Sequence, residues 1–218
     1  DEASKHFPPE AEFAAEEGSG LRVAVVGRPN VGKSTLINRL AGQERVVAHE
    51  SPGTTRDAID VGIEFDGRSY VFVDTAGVKR RWGVADRLEK FTSMRSLRTI
   101  DRADIVLQLI DGAEGLTKQD LHLTGFVREQ GKGLLILVNK WDKLDAEWEE
   151  YGKRMRRGMG ELEGIPAFPI SAATGQNCMK IFRGIDRIDR ALATRVSTSK
   201  LNRIMEEALA GHHLPDHR

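Results

Sequence analysis

The chain has 218 residues, 39% of them hydrophobic and 30% charged, which suits one globular domain with a tail and excludes two full catalytic domains or wholesale disorder. Its 33 basic residues balance 33 acidic ones, so net charge gives no reason to expect a polyanion partner. A lone cysteine, Cys178, excludes an intrachain disulfide, no signal-like start is present, and apolar runs such as Leu134 to Val138 fall far short of the ~20 residues that cross a bilayer, so a cytoplasmic protein without a membrane partner is expected.

Residues 1–20 set Asp1, Glu2, Glu10, Glu12, Glu16 and Glu17 against Lys5 and close on Gly18-Ser19-Gly20, an acidic linker composition. From Leu21 onward short apolar runs alternate with longer amphipathic ones, the pattern of a mostly parallel sheet covered by helices. A first strand, Leu21 to Val26, leads into Gly27-Arg28-Pro29-Asn30-Val31-Gly32-Lys33-Ser34 and a helix over Lys33 to Leu40. That G-x-x-x-x-G-K-[ST] spacing between strand and helix is a phosphate-binding loop. Its glycines let backbone amides turn inward around phosphates, Lys33 reaches the β and γ phosphates, and Ser34 ligates Mg²⁺. Thr35, next in the helix, joins the nucleotide-binding set.

Pro52-Gly53-Thr54-Thr55-Arg56-Asp57 offers two hydroxyls, of which Thr55 is favoured as a Mg²⁺ ligand once GTP orders the loop. Strands over Ala58 to Phe65 and Arg68 to Val73 are separated only by Asp66-Gly67, which predicts a hairpin and one antiparallel edge strand. Asp74-Thr75-Ala76-Gly77 follows, placing Asp74 to hold a Mg²⁺ water and the Gly77 amide to meet a γ-phosphate. Arg80 and Arg81 are open to two readings, phosphate contact or a solvated charge run. Residues 48–57 and 77–90 are the expected switches. A helix over about Asp86 to Thr99, a strand over Ile105 to Ile110 and a helix over Lys118 to Glu129 come next.

The strand Leu134 to Val138 delivers Asn139-Lys140-Trp141-Asp142 to its carboxyl end. An aspartate there accepts hydrogen bonds from guanine N1–H and the exocyclic amine; adenine offers neither, and such a site rejects the wrong base by ~10⁴. Asn139 braces the loop, and the Lys140 stem can lie against the purine. A helix over about Glu147 to Met159 holds the basic cluster Lys153, Arg154, Arg156 and Arg157. The last strand, Ala167 to Ile170, precedes Ser171-Ala172-Ala173, read either as backbone amides approaching guanine O6 or as a helix-entry turn. Helices over about Met179 to Ala193 and Ser199 to Ala210 close the pattern. Cys178 is read as a buried small hydrophobe, Trp148 and Met155 as packing residues, and His212, His213 and His217 as a polar end. With no exposed apolar stripe expected, a monomer is expected.

In this order and context the motifs resemble the translation-factor-like branch of P-loop GTPases. Asn139-Lys140-Trp141-Asp142, the flank Arg195 to Arg203 and the acidic linker narrow the resemblance to the second G domain of the EngA/Der family, over about residues 20 to 214. The resemblance implies an α/β P-loop NTPase of the Ras-like G-domain type: a mostly parallel six-stranded sheet, one antiparallel edge strand and helices on both faces. It divides the chain into linker 1–20, G domain 21–195, and C-terminal helix and tail 196–218. It implies binding of GTP and GDP with Mg²⁺, GTP hydrolysis, and a role in assembly of the large ribosomal subunit, with that subunit or its rRNA as partner and no DNA. Family members carry a further G domain and a KH-like domain, so the chain looks like a fragment. Ras-like members follow D-x-x-G with a water-orienting glutamine, where this chain has Val78. Relatives with an asparagine at the place of Asn30 use it to ligate K⁺, which implies K⁺-stimulated hydrolysis carried by Lys33, Asn30, Thr55 and Gly77. No general base is assigned, and Asn30 has a second reading as a loop-stabilising amide. Two other functions stay open: a nucleotide-dependent scaffold module with negligible hydrolysis, and a GTPase domain in RNA modification or ion transport.

Overall fold

The computed structural model describes residues 20–42, 47–51, 60–75, 97–157, 162 and 164–211. In chain order the elements are β1 (Leu21–Val26), α1 (Lys33–Ala41), β2 (Val47–Ser51), β3 (Asp60–Phe65), β4 (Arg68–Phe72), β5 (Ile105–Asp111), α2 (Lys118–Glu129), β6 (Gly133–Asn139), α3 (Trp148–Arg156), β7 (Ala167–Pro169), α4 (Lys180–Ala193) and α5 (Thr198–Gly211). The strands form one sheet in the order β2-β3-β4-β1-β5-β6-β7. Parallel pairing runs from β4 to β7, with β1 flanked by β4 and β5.

The fold class expected from the sequence is borne out, with one more strand than six. Asp66 and Gly67 both take positive φ, 54° and 76°, as a two-residue type I′ turn requires, and β3 and β4 pair antiparallel across it. The extra strand, β2, pairs antiparallel with β3 from Val47↔Glu64 to Ser51↔Asp60, so β3 is not the edge. Val-Ala-His-Glu-Ser carries a single β-branched residue, and pairing with β3 overrides its weak propensity.

Alternation along the central strands distributes side chains to two faces. Val23, Leu107, Leu109, Leu135 and Leu137 meet Leu36 and Leu40 of α1 and Phe182, Ile185 and Ile188 of α4. Ala24, Val26, Val106 and Leu134 face the other way onto Val127 of α2 and Ile100, while Ile136 and Val138 cover Tyr151 and Met155 of α3. Every residue of β5 and β6 is buried, as parallel strands sandwiched by helices must be. Phe182 stacks on Phe65 at 4.4 Å and leans on Tyr70 at 4.9 Å; burying such a ring contributes about 2–3 kcal/mol. Gln108, polar within β5, is satisfied there: Nε2 donates to Asp120 O at 2.7 Å and Oε1 accepts from Thr124 Oγ1 at 2.9 Å.

The packing readings hold. Met155 is buried, Trp148 packs edge-on to Trp141 at 5.6 Å, and Cys178 is buried beside the Ser171 carbonyl. Burial pushes the Cys178 thiol up to about 11, with Arg39 acting weakly the other way. The expectation of no exposed apolar stripe fails. Leu192, Val196, Leu201, Ile204 and Met205 are 46–54% exposed, because α5 projects with every described side chain from Thr198 to Glu207 in solvent. No helix among the described residues is long and apolar enough to cross a membrane.

Candidate functional site

The loops that leave the carboxyl ends of β1, β4, β5, β6 and β7 gather at one end of the sheet, where ligands bind in open α/β folds. The loop after β1 is fixed by its two glycines. Gly27 has φ 141°, and a Cβ there would come within 2.3 Å of Leu109 O; Gly32 has φ 102°, and its Cβ would meet Asn139 Nδ2 at 2.2 Å. Only glycine fits either place. Gly32 is also the N-cap of α1, which has no side-chain cap and no acid in its first turn. The positive end of the helix, with Lys33, Ser34 and Thr35 in its first turn, is left to an anion. Lys33 Nζ arches back over the loop to Gly27 O at 2.8 Å and Arg28 O at 2.6 Å. Pro29 and Asn30 lie at the exposed tip, Asn30 with φ 63°, and Val31 is buried beneath them.

Arg28 anchors the loop to α2. Its Nε lies 3.1 Å from Asp120 Oδ2 and its Nη1 2.8 Å from Glu114 Oε2. Asp120 is wholly buried and closes the capping box of α2 with Thr117, so one carboxylate caps a helix and fixes the loop.

Asn139, the last residue of β6, binds two other loops. Its Nδ2 donates to Val31 O at 2.7 Å, and its Oδ1 accepts from Ala172 N at 2.9 Å. Lys140 follows with φ 63° and donates through Nζ to Asp111 Oδ2 at 2.5 Å. Burial alone pushes the Asp111 carboxyl up, but Lys140 and the Ala113 amide together outweigh it and hold it below its ordinary 3.8. Trp141 N donates to Ile170 O, starting the 3₁₀ turn Trp141–Lys143 that presents Asp142 to solvent. Under this turn Trp141, Trp148 and Tyr151 pack together, and Tyr151 Oη donates to Gly112 O at 3.0 Å.

In Ser171-Ala172-Ala173 two of the three amides are already used. Ser171 N donates to Gln176 O and Ala172 N to Asn139, while Ser171 Oγ accepts from Thr174 N at 3.1 Å. Of these three amides, that of Ala173 alone has no acceptor among the described residues, and the segment is a turn held by its own hydrogen bonds. Arg39 holds that turn through the Ala172 and Ala173 carbonyls.

Asp74, at the end of β4, sits half-buried with φ 54°, and its support comes from residues the sequence reading did not single out. Thr99 Oγ1 donates to Asp74 Oδ2 at 2.9 Å, Asp74 N donates to Asp60 Oδ1 at 2.9 Å, and Asp60 Oδ2 lies 2.6 Å from Arg102 Nη2. Asp60 is 5% exposed, a carboxylate kept in the interior by a cation and an amide. An acid opening β3, and Asp111 closing the mostly apolar β5, were the available signals. Thr55, Gly77, Val78, Arg80, Arg81, Trp82, the proposed switches, the linker and the histidine tail lie largely or wholly outside the described residues, as do their contacts.

A sequence-family model described as a 50S ribosome-binding GTPase matches residues 22–140. The chain is 42% identical over 210 residues to GTPase Der of Desulfitobacterium hafniense strain DCB-2, covering 95% of this chain and 47% of that protein. It is 43% identical over 218 residues to GTPase Der of Geotalea uraniireducens, covering 99% and 49%. It thus spans about half the length of these curated relatives. Among solved structures it is similar to Era in complex with MgGDPNP and nucleotides 1506–1542 of 16S ribosomal RNA, with TM-score 0.57 and 26% identity over 75% of this chain and 55% of that one.

Proposed function

The chain belongs to the 50S ribosome-binding GTPase family, and on that premise we propose that it is a GTP-hydrolysing switch of the EngA/Der type, stimulated by K⁺ and acting in assembly of the large ribosomal subunit. The observation that carries the reading is the Asn139 bridge, which couples the loop after β1, the loop bearing Asp142 and the Ser171 turn into one unit. Phosphate cradle and base clamp are then a single rigid site.

The residues divide the work by charge. Amides of the loop from Gly27 to Gly32 and of the first turn of α1 bind phosphate oxygens, and Lys33 exchanges its two carbonyl partners for the β and γ phosphates. Asp142, exposed at the turn after β6, accepts from guanine N1–H and N2. Lys140, held by Asp111, lays its stem beside the base. The Ala173 amide donates to guanine O6. Ser34, Thr55 and, through a water, Asp74 would hold Mg²⁺, and Asn30 would hold K⁺; bound there, the cations supply positive charge to the β,γ-bridging oxygen. The donor set fits: hydroxyl, carboxylate and amide oxygens suit hard cations, and Thr99 orients the Asp74 carboxylate by donating to its Oδ2.

In hydrolysis a water adds to the γ-phosphorus, the bond to the bridging oxygen breaks, and GDP and phosphate leave. Val78 offers no hydrogen bond to that water, so catalysis rests on charge and positioning rather than on a side-chain base. Loss of the γ-phosphate removes the contacts of Thr55 and Gly77 that distinguish the two states, which is the switch.

Displacement of a fluorescent GDP analogue by GTP, GDP, ATP and ADP tests the base assignment. Guanine nucleotides should compete at least ~10³-fold better, with the preference lost in Asp142→Ala; equal competition by ATP would remove the guanine reading. Co-sedimentation with purified 50S subunits, stronger with a non-hydrolysable GTP analogue than with GDP, tests the ribosomal half.

A further inference from the structure

α4 sorts its charges onto two sides. Its carboxylates turn to the sheet: Asp186 Oδ1 lies 2.8 Å from Arg68 Nη1 and accepts from Tyr70 Oη at 2.8 Å, and Asp189 Oδ2 lies 2.5 Å from Arg68 Nη2. The outer side carries Lys180, Arg183, Arg187 and Arg190, all exposed. Steps of three, four and three residues set these four in one row on one face, roughly 15 Å long at about 1.5 Å per residue. Among the described residues none of the four side chains meets an acid.

The row opposes folding. Neighbours three and four apart on a helix repel when their charges match; successive cations of the row are such neighbours, and Asp186, one turn from Arg183 and Arg190, is engaged by Arg68 and Tyr70 instead. On α3, by contrast, Glu149 and Glu150 stand one turn before Lys153 and Arg154. The other helix in the same core cluster adds no relief: α1 joins that cluster through Leu36 and Leu40, and its sequence contains Lys33 and Arg39 but no acid. A chain of zero net charge thus concentrates uncompensated positive charge on one side of one helix.

We propose that the outer face of α4 is a docking surface for the phosphodiester backbone of duplex RNA. A nucleic-acid duplex is densely charged, with a charge about every 1.7 Å along the axis in DNA and closer still in the shorter-rise RNA duplex, and it releases condensed counterions on binding, so a linear row of cations gains most from such a partner. The row holds no aromatic side chain on which an unpaired base could stack, Phe182 being buried, which favours contact with the backbone over reading of single-stranded bases. The proposal rests on the ribosomal reading above and names the surface that touches RNA.

Anisotropy of a labelled RNA duplex of about 20 base pairs, titrated with the chain from roughly 50 to 300 mM KCl, tests it. Lys180→Gln/Arg183→Gln/Arg187→Gln/Arg190→Gln should weaken binding at least tenfold and reduce the slope of log K against log salt by about 2–4. The charge-matched Lys153→Gln/Arg154→Gln/Arg156→Gln/Arg157→Gln should change affinity less than threefold. Equal losses in the two variants, or unchanged binding in the first, would overturn the assignment, as would equally tight binding of a polyglutamate peptide, which would mark the face as a protein-docking site. Binding of a fluorescent GDP analogue reports folding, because none of the eight residues lies in the nucleotide site. If the quadruple α4 variant loses it, Arg187→Gln alone decides, with an expected loss of about threefold against no change. Failure of the parent chain to bind guanine nucleotide would instead sink the GTPase reading and leave the RNA result to stand by itself.

Discussion

Asn139 and Val31 are 108 residues apart in sequence and 2.7 Å apart in space, and the same Asn139 side chain accepts from Ala172 N at 2.9 Å. Asn139→Ala would leave a buried carbonyl and a buried amide without partners, at about 1–3 kcal/mol each. Urea denaturation should show a loss of about 2–5 kcal/mol together with weaker nucleotide binding. A fully stable variant would show that the bridge holds nothing together.

Thr99 and Asp60 both hold Asp74, one through its carboxylate and the other through its amide. Thr99→Val keeps the shape but removes the hydroxyl that donates to Asp74 Oδ2. Apparent Mg²⁺ affinity in the presence of GTP should fall roughly tenfold, about 1.4 kcal/mol, while Mg²⁺-free nucleotide affinity is unchanged. Equal losses with and without Mg²⁺ would assign Thr99 a general structural role.

The Lys140 to Asp111 pair predicts a specific acid response. The Asp111 carboxyl is held below its ordinary 3.8 in the fold, so its contribution to stability is present above the unfolded value and lost as pH falls through the folded one. Urea midpoints measured from pH 6 down to pH 3 should fall more steeply at the acid end for the parent chain than for Asp111→Asn. Parallel curves would mean that the pair does not titrate with folding.

Cys178 should be slow to alkylate in the native chain. With its thiol pushed up from 9.0 to about 11, the thiolate fraction at pH 8 falls about 100-fold, and burial slows access further. Iodoacetamide labelling followed by mass spectrometry checks this; native labelling as fast as in urea would contradict the buried position.

The site was legible wherever chemistry demands particular residue types at fixed spacing. Gly27, Gly32, Lys33, Asn139 and Asp142 could be placed because strand, loop and helix follow in order around them, and the Asp66-Gly67 turn announced the β3–β4 hairpin. What escaped was set by pairing and burial across the fold. β2 has little strand propensity and forms by pairing with β3. Asp60, Thr99 and Arg102 match no motif and converge on Asp74 only when β3, β4 and the helical turn at 97–101 are packed together. The apolar stripe of Leu201, Ile204 and Met205 had helical spacing all along, but periodicity cannot tell a covered face from a bare one.

Single-turnover GTP hydrolysis by this chain in matched KCl and NaCl, with ATP as competitor substrate and Asn30→Ala as control, tests the central claim most directly. The account predicts turnover of GTP and not ATP, faster in KCl, with the K⁺ advantage lost in Asn30→Ala. Hydrolysis of ATP at the rate of GTP would contradict the guanine site, and equal GTP rates in both salts would contradict the cation-assisted mechanism.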